Sequence, residues 1–229
     1  VYTGNPQNAL KILSKCRNDS EWGPQSLQLI FMIYVNPNQK FNWCETKPLA
    51  TSKDLDAAKK VLTRFDPTQS DIQQLRAMLL LSANTTESVT EALEIFKEGD
   101  DEDLNAMIGK CKCFIRLDQQ REATKLLNGI VHGEPDHMNV SIYVEAFLMM
   151  TYISIKEQQP DEAEKYVDKA LELNKSCNKA WELKAALCEK KKDYLNAVDA
   201  YKHAWDLSSH TQLGTGFKLA LNYMRMEDP

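Results

Sequence analysis

The chain has 229 residues, of which 43% are hydrophobic and 27% are charged, as in an ordinary globular protein. Its net charge is −5, and residues 71–136 carry seven basic and thirteen acidic side chains, which argues against the continuous basic stripe of a nucleic-acid-binding surface. No apolar run reaches about 18 residues, so no transmembrane helix is predicted.

Apolar residues recur at helical spacing along almost the whole chain and predict about twelve helices. The first is Pro6–Arg17, with Asn5 as the N-cap and Pro6 at the first helical position. The others are expected at roughly 21–35, 53–65, 71–83, 88–98, 103–117, 119–131, 138–157, 160–173, 178–191, 194–207 and 210–226. Capping boxes, in which two side chains satisfy free backbone N–H groups at a helix start, are predicted at Ser70–Gln73, Ser88–Glu91 and Ser209–Gln212.

Two segments near the C-terminal end align at a spacing of 34 residues, the period of the tetratricopeptide helix–turn–helix unit. The aligned pairs are Ala146 with Ala180, Phe147 with Trp181, Ala163 with Ala197, Ala170 with Ala204, and Leu173 with Leu207. Small residues suit such positions because two closely crossing helices leave no room for larger ones. The predicted repeat core therefore includes Ala163, Ala170, Trp181, Ala197, Tyr201 and Ala204.

The fold predicted from this period is an all-α solenoid of tetratricopeptide-type helical hairpins, wound as a right-handed superhelix. The second-helix alanine of each hairpin is expected at Ala9, Ala58, Ala92, Ala123, Ala163 and Ala197. One solenoid segment is predicted over 1–229, with repeats at about 1–17 (partial), 18–69, 70–102, 103–136, 137–177, 178–209 and 210–229 (partial), and a polar loop inserted at 36–52.

The last predicted helix has an apolar face, formed by Leu213, Phe217, Leu221 and Met224, that no later helix of this sequence covers. Terminal repeats of solenoids are normally polar on their outer side. We therefore expect the chain to be a segment of a longer solenoid.

Three further stretches carry a resemblance to a known family. They are Arg17-Asn18-Asp19-Ser20-Glu21-Trp22-Gly23 followed by Asn36-Pro37-Asn38 and the polar loop; Asn178-Lys179-Ala180-Trp181 with Tyr194, Ala197, Tyr201, Ala204 and Trp205; and Gly216-Phe217-Lys218-Leu219-Ala220-Leu221-Asn222-Tyr223. In this order and spacing they resemble the tetratricopeptide repeat protein 21 family, the large all-repeat subunit of complex A of intraflagellar transport, near the C-terminal end of that subunit.

The resemblance implies a ciliary scaffold that takes part in retrograde transport and in delivering membrane proteins to the cilium. The implied partners are the other protein subunits of intraflagellar transport complex A, with no nucleic acid, no membrane insertion and no small-molecule substrate. The implied location is the cilium or flagellum and the cytoplasm around the basal body.

A solenoid of this type offers a concave groove lined by its first helices, which suits an extended or helical partner segment. The groove candidates are Asn105, Ile108, Lys112 and Ile115; Glu145, Leu148, Tyr152 and Lys156; and Lys179, Glu182, Ala186 and Glu189. The alternative interpretation of each is a solvated side chain, or one covered by a neighbouring repeat.

A second functional class stays open, namely a cytosolic peptide-binding adaptor or co-chaperone of the same fold. Chaperone-binding members hold a C-terminal carboxylate with Lys, Asn and Arg side chains. Leu148, Tyr152 and Leu183 stand at comparable places here, which argues against such a clamp.

An enzyme is the least favoured class. Ser, His and Asp are scattered, and the sequence has no nucleophile elbow, phosphate-binding glycine loop or CxxC pair. Cys111 and Cys113 are two residues apart on a predicted helix and so point in different directions, which is poor geometry for one metal. We predict no catalytic residue, metal or cofactor.

Overall fold

A computed structural model of the chain describes residues 6–37, 43, 48–65, 71–100 and 102–227. These residues contain twelve α-helices and no strand, which confirms the all-α prediction and the number of helices. The helices are α1 (Pro6–Cys16), α2 (Gly23–Val35), α3 (Ser52–Leu62), α4 (Asp71–Ala83), α5 (Thr86–Glu98), α6 (Leu104–Arg116), α7 (Gln120–Val131), α8 (Val140–Lys156), α9 (Pro160–Leu173), α10 (Asn178–Lys190), α11 (Tyr194–Leu207) and α12 (Leu213–Glu227).

The chain forms two compact units, Val1–Ala123 and Thr124–Pro229. Within the first unit, each helix from α1 to α5 packs on the helix that follows it, and in the second unit the same holds for each helix from α8 to α11. Packing between sequence neighbours is the arrangement of helical-hairpin repeats. The single solenoid over 1–229 and its right-handed winding stay predictions.

The alanines predicted on the second helices lie in the interior. Ala58, Ala92, Ala123, Ala163 and Ala197 are fully buried, and Ala9 is 8% exposed. A methyl group that has no exposed surface lies where two helices approach closely. The burial expected of these alanines is therefore observed, while the repeat boundaries derived from them stay predictions.

The repeat-core predictions hold for the small residues and for one of the two aromatic residues. Ala163, Ala170 and Ala204 have no exposed surface, and Tyr201 is 1% exposed. Trp181 is only half-buried: its ring stacks on His203 at 4.5 Å between centroids, and its Nε1 donates to the Lys175 carbonyl at 2.8 Å. The indole N–H thus reaches the edge of the core, where a backbone acceptor satisfies it.

Polar side chains fix several helix starts, although not all of them as predicted. Capping boxes form between Thr51 and Asp54 at α3 and between Thr85 and Ser88 at α5. The predicted box Ser88–Glu91 is therefore wrong, because Ser88 is the third residue of a helix capped by Thr85. Ser70 and Asn5 lie outside the described residues.

The predicted box Ser209–Gln212 is wrong as well. Ser209 and His210 have φ angles of 50° and 62° and form the turn after α11, so α12 begins only at Leu213. Leu213, Phe217 and Met224 of α12 are 82%, 70% and 60% exposed, so this face is uncovered in the described part of the chain.

Three hairpins share one type of turn that the sequence did not predict. Asp118, Gln158 and Lys192 have φ angles of 60°, 61° and 62° and directly follow the C-caps of α6, α8 and α10. In each turn the next residue's N–H bonds back to the carbonyl five residues earlier, at 2.8–2.9 Å, as in Gln159 to Ser154. This is the Schellman geometry, which reverses the chain while satisfying the last helical carbonyls.

Candidate protein-binding surface

Helix α6 carries the first row of predicted groove residues. Asn105 is exposed and Lys112 is half-buried, so their side chains are accessible. Ile108 and Ile115 are only 4% and 3% exposed, so the prediction that they face an open groove is wrong. The reason is that α6 buries residues around most of its circumference, including Ala106, Gly109 and Cys113.

Helix α8 carries the second row, and its apolar position is also enclosed. Leu148 has no exposed surface, which makes it a core residue rather than a groove residue. Glu145 and Tyr152 are half-buried and Lys156 is exposed. The Lys156 Nζ lies 5.3 Å from the centroid of the Tyr152 ring, which places a cation and an aromatic face side by side at the surface.

Helix α10 carries the third row, and its four members, Lys179, Glu182, Ala186 and Glu189, are half-buried. The Glu182 carboxylate is 3.4 Å from the Lys179 Nζ and accepts a hydrogen bond from the Thr215 hydroxyl at 2.7 Å. This carboxylate therefore joins α10 to α12 inside the chain.

Glu189 makes a similar connection one turn of helix later. The Tyr201 hydroxyl donates to its Oε2 at 3.0 Å, and Arg225 of α12 forms an ion pair with its Oε1. Burial, and next the charge of Glu189, raise the pKa of Tyr201, so the phenol stays a neutral donor. Both acidic groove candidates of α10 thus have partners on neighbouring helices.

These connections were not predicted, although the sequence contained a signal for them. Thr215 stands 33 residues after Glu182, and Arg225 stands 36 residues after Glu189, which is close to the 34-residue period. Residues one repeat apart lie on equivalent faces of successive first helices. Polar pairs at that spacing are candidates for ties between repeats.

Cys113 of α6 and Cys188 of α10 lie in surroundings that keep their thiols protonated. Burial raises the pKa of Cys113 to about 12, and burial is also the main cause of the raised pKa of Cys188. A thiol is a nucleophile or a metal ligand only as the thiolate, which these surroundings disfavour. Among the described residues, no three His, Cys, Asp or Glu side chains are grouped so that they could hold a metal ion.

None of the described helices combines the length and the apolar character that crossing a membrane requires. Asp103 is the N-cap of α6: its carboxylate accepts from the Asn105 N–H at 2.9 Å and from the Gln74 side chain.

Helices packed in sequence order, buried alanines at repeat spacing and recurrent hairpin turns define a helical-repeat protein. A model of the "Tetratricopeptide repeat protein 21 C-terminal ARM domain" matches residues 55–229, and the chain belongs to this family. It is 28% identical to tetratricopeptide repeat protein 21B of Homo sapiens and 29% identical to that of Mus musculus, over 98% of this chain in each case. It is 25% identical to the tetratricopeptide repeat protein 21 homolog of Caenorhabditis elegans over the same share. The chain spans 18–19% of the length of these relatives.

Proposed function

We propose that the chain is part of a non-catalytic protein–protein interaction scaffold, a subunit of intraflagellar transport complex A that serves retrograde ciliary transport and the delivery of membrane proteins to the cilium. The observation that carries the proposal is membership of the tetratricopeptide repeat protein 21 family over residues 55–229. The partners we propose are other subunits of that complex. The proposed place of action is the cilium or flagellum and the cytoplasm near the basal body.

The surface of α8 and α10 suits such a role. It presents Tyr152, Lys156, Lys179 and Ala186, a mixture of aromatic, cationic and small side chains. A stable interface buries roughly 1,600 Å² in total, which needs many such side chains across several repeats. A single substitution such as Tyr152→Ala is therefore expected to weaken assembly only modestly.

A cytosolic peptide-binding adaptor is the second candidate. The exposed Lys156 beside Tyr152 is the kind of cation–aromatic pair that a peptide groove uses. A carboxylate clamp needs cationic or amide side chains, whereas the next first helix presents Glu182 and Glu189 in the groove row, already paired with Lys179 and Arg225, which disfavours a co-chaperone of that type.

Localisation separates the two candidates. The protein is expressed with a fluorescent tag in ciliated cells and imaged together with a marker of the ciliary base. The scaffold proposal predicts signal at the base and along the cilium, in particles that move towards the base. Signal that is spread through the cytosol and excluded from cilia would favour the adaptor.

A further inference from the structure

A basic pocket lies in the first unit, on helices that the proposed groove does not use. It occupies about 210 Å³ between the C-terminal ends of α1 and α3, over the middle of α2. Its floor contains Ile30 and Val61, buried members of a hydrophobic cluster, and the half-buried Tyr34. Its rim carries Arg17, Lys60 and Arg64, whose side chains are exposed.

The charge of the three rim cations is the second feature of the pocket. In the described part of the chain, none of them is ion-paired to a carboxylate. Of the acidic residues close in sequence, Asp56 lies 3.7 Å from Lys59, and the Asp19 carboxylate accepts from the Glu21 and Trp22 N–H groups at the start of α2. Among the described residues, none of those that line the pocket is acidic.

Each of the cations also has a local structural reason. Arg17 directly follows α1, Arg64 stands two residues beyond the end of α3, and Lys60 lies in the last turn of α3, where the helix dipole favours positive charge. The dipole alone does not explain why all three surround one apolar pocket. Residues 1–70 as a whole hold nine basic and six acidic side chains, so this basic end is set in a stretch with a net charge of +3.

The small volume, the apolar floor and the basic rim together favour one kind of ligand. Small-molecule sites typically have volumes of roughly 300–1,000 Å³, so this pocket has room for little more than one side chain. The apolar floor favours burial of an apolar side chain, and the three cations of the rim attract carboxylates on either side of that side chain. A flat anionic membrane would reach the rim but would leave the floor unfilled.

We propose that this pocket is a docking site for an acidic peptide segment of a partner protein, in which one bulky apolar side chain is flanked by carboxylates. The apolar side chain packs on Ile30 and Val61, and the carboxylates pair with Arg17, Lys60 and Arg64. The site is built by other helices than those that carry the groove candidates, and the proposal does not depend on the ciliary role.

The test measures binding of a fluorescent peptide, with one phenylalanine between two pairs of glutamates, to the whole chain by anisotropy. The variant Lys60→Glu/Arg64→Glu changes the rim. Its control, Lys53→Glu/Lys59→Glu, makes the same charge change at exposed positions of α3 that do not line the pocket. Circular dichroism confirms that both variants keep the helical fold.

We expect the rim variant to bind the peptide about tenfold more weakly and the control to change affinity by less than about twofold, because each reversal at the rim replaces an attraction with a repulsion. Replacing the phenylalanine of the peptide with serine is expected to abolish binding to the unchanged protein. Equal weakening in both variants, undiminished binding of the serine peptide, or no binding of the original peptide would overturn the proposal. Binding to vesicles of phosphatidylserine and phosphatidylcholine in equal parts, without binding of the peptide, would overturn it in favour of a membrane contact.

Discussion

The contact of Gly109 in α6 with Phe96 in α5 allows a sharp test of the packing. A Cβ atom added at Gly109 would lie 2.4, 2.5 and 2.7 Å from three carbons of the Phe96 ring. Carbon atoms normally pack at about 3.5–4.0 Å, so the ring would have to retreat by roughly 1 Å. Phe96 is 4% exposed and belongs to a core cluster with Ala77, Leu81 and Val89, which leaves it little space to move.

The expected effect of Gly109→Ala is the sum of two opposing terms. Overpacking a core of this kind costs about 1–3 kcal/mol. Replacing glycine by alanine inside a helix stabilises it by about 1 kcal/mol. Gly129 in α7 is the matched control, since a Cβ there would meet nothing within 4 Å. Gly129→Ala should therefore be stabilising by up to about 1 kcal/mol, and Gly109→Ala should be less stable than that variant by about 1–3 kcal/mol.

The assay is urea denaturation of the unchanged chain and both variants, followed by circular dichroism. The difference in unfolding free energy between the two variants isolates the clash with Phe96, because the helix-propensity gain is common to both. If Gly109→Ala stabilised the chain as much as Gly129→Ala, the described packing of α5 on α6 would be wrong.

Three further perturbations have expected outcomes. Gln158→Gly should raise the unfolding free energy by about 0.5–1 kcal/mol, because glycine adopts the left-handed φ of this turn without strain; no change in the melting temperature would count against the turn geometry. Trp181→Ala should cost about 3 kcal/mol, at the low end for a tryptophan because the ring is half-buried, and denaturation measures it. Burial raises the Cys113 pKa from 9.0 to about 12, so its contribution to stability is complete below pH 9 and is lost as the pH rises towards 12. Between pH 8 and pH 10, the urea midpoint should therefore fall further for the unchanged chain than for Cys113→Ala. An equal fall in both proteins would refute this.

The helices could be predicted from the sequence because their apolar residues recur regularly and their alanines mark close crossings. The errors at helix starts came from the caps: Ser88 stands three residues before a glutamate and resembles an N-cap, but Thr85 takes that position. The Schellman turns escaped prediction because glycine usually marks them, whereas Asp118, Gln158 and Lys192 occupy the left-handed position here.

The groove was harder to predict than the fold, for a physical reason. Helical spacing shows which residues share a face, but not whether another helix covers that face. Ile108, Ile115 and Leu148 share faces with polar residues and are nevertheless buried. The basic pocket was not predicted either, because Arg17, Lys60 and Arg64 lie at or just beyond the C-terminal ends of two helices, which meet only in three dimensions.

The most direct test of the proposed scaffold role is affinity purification of the tagged protein from ciliated cells, with its partners quantified by mass spectrometry. If the protein is such a scaffold, the other subunits of intraflagellar transport complex A are recovered in amounts comparable to the protein itself. Recovery of chaperones or unrelated peptide ligands, with no subunit of the transport complex, would contradict it.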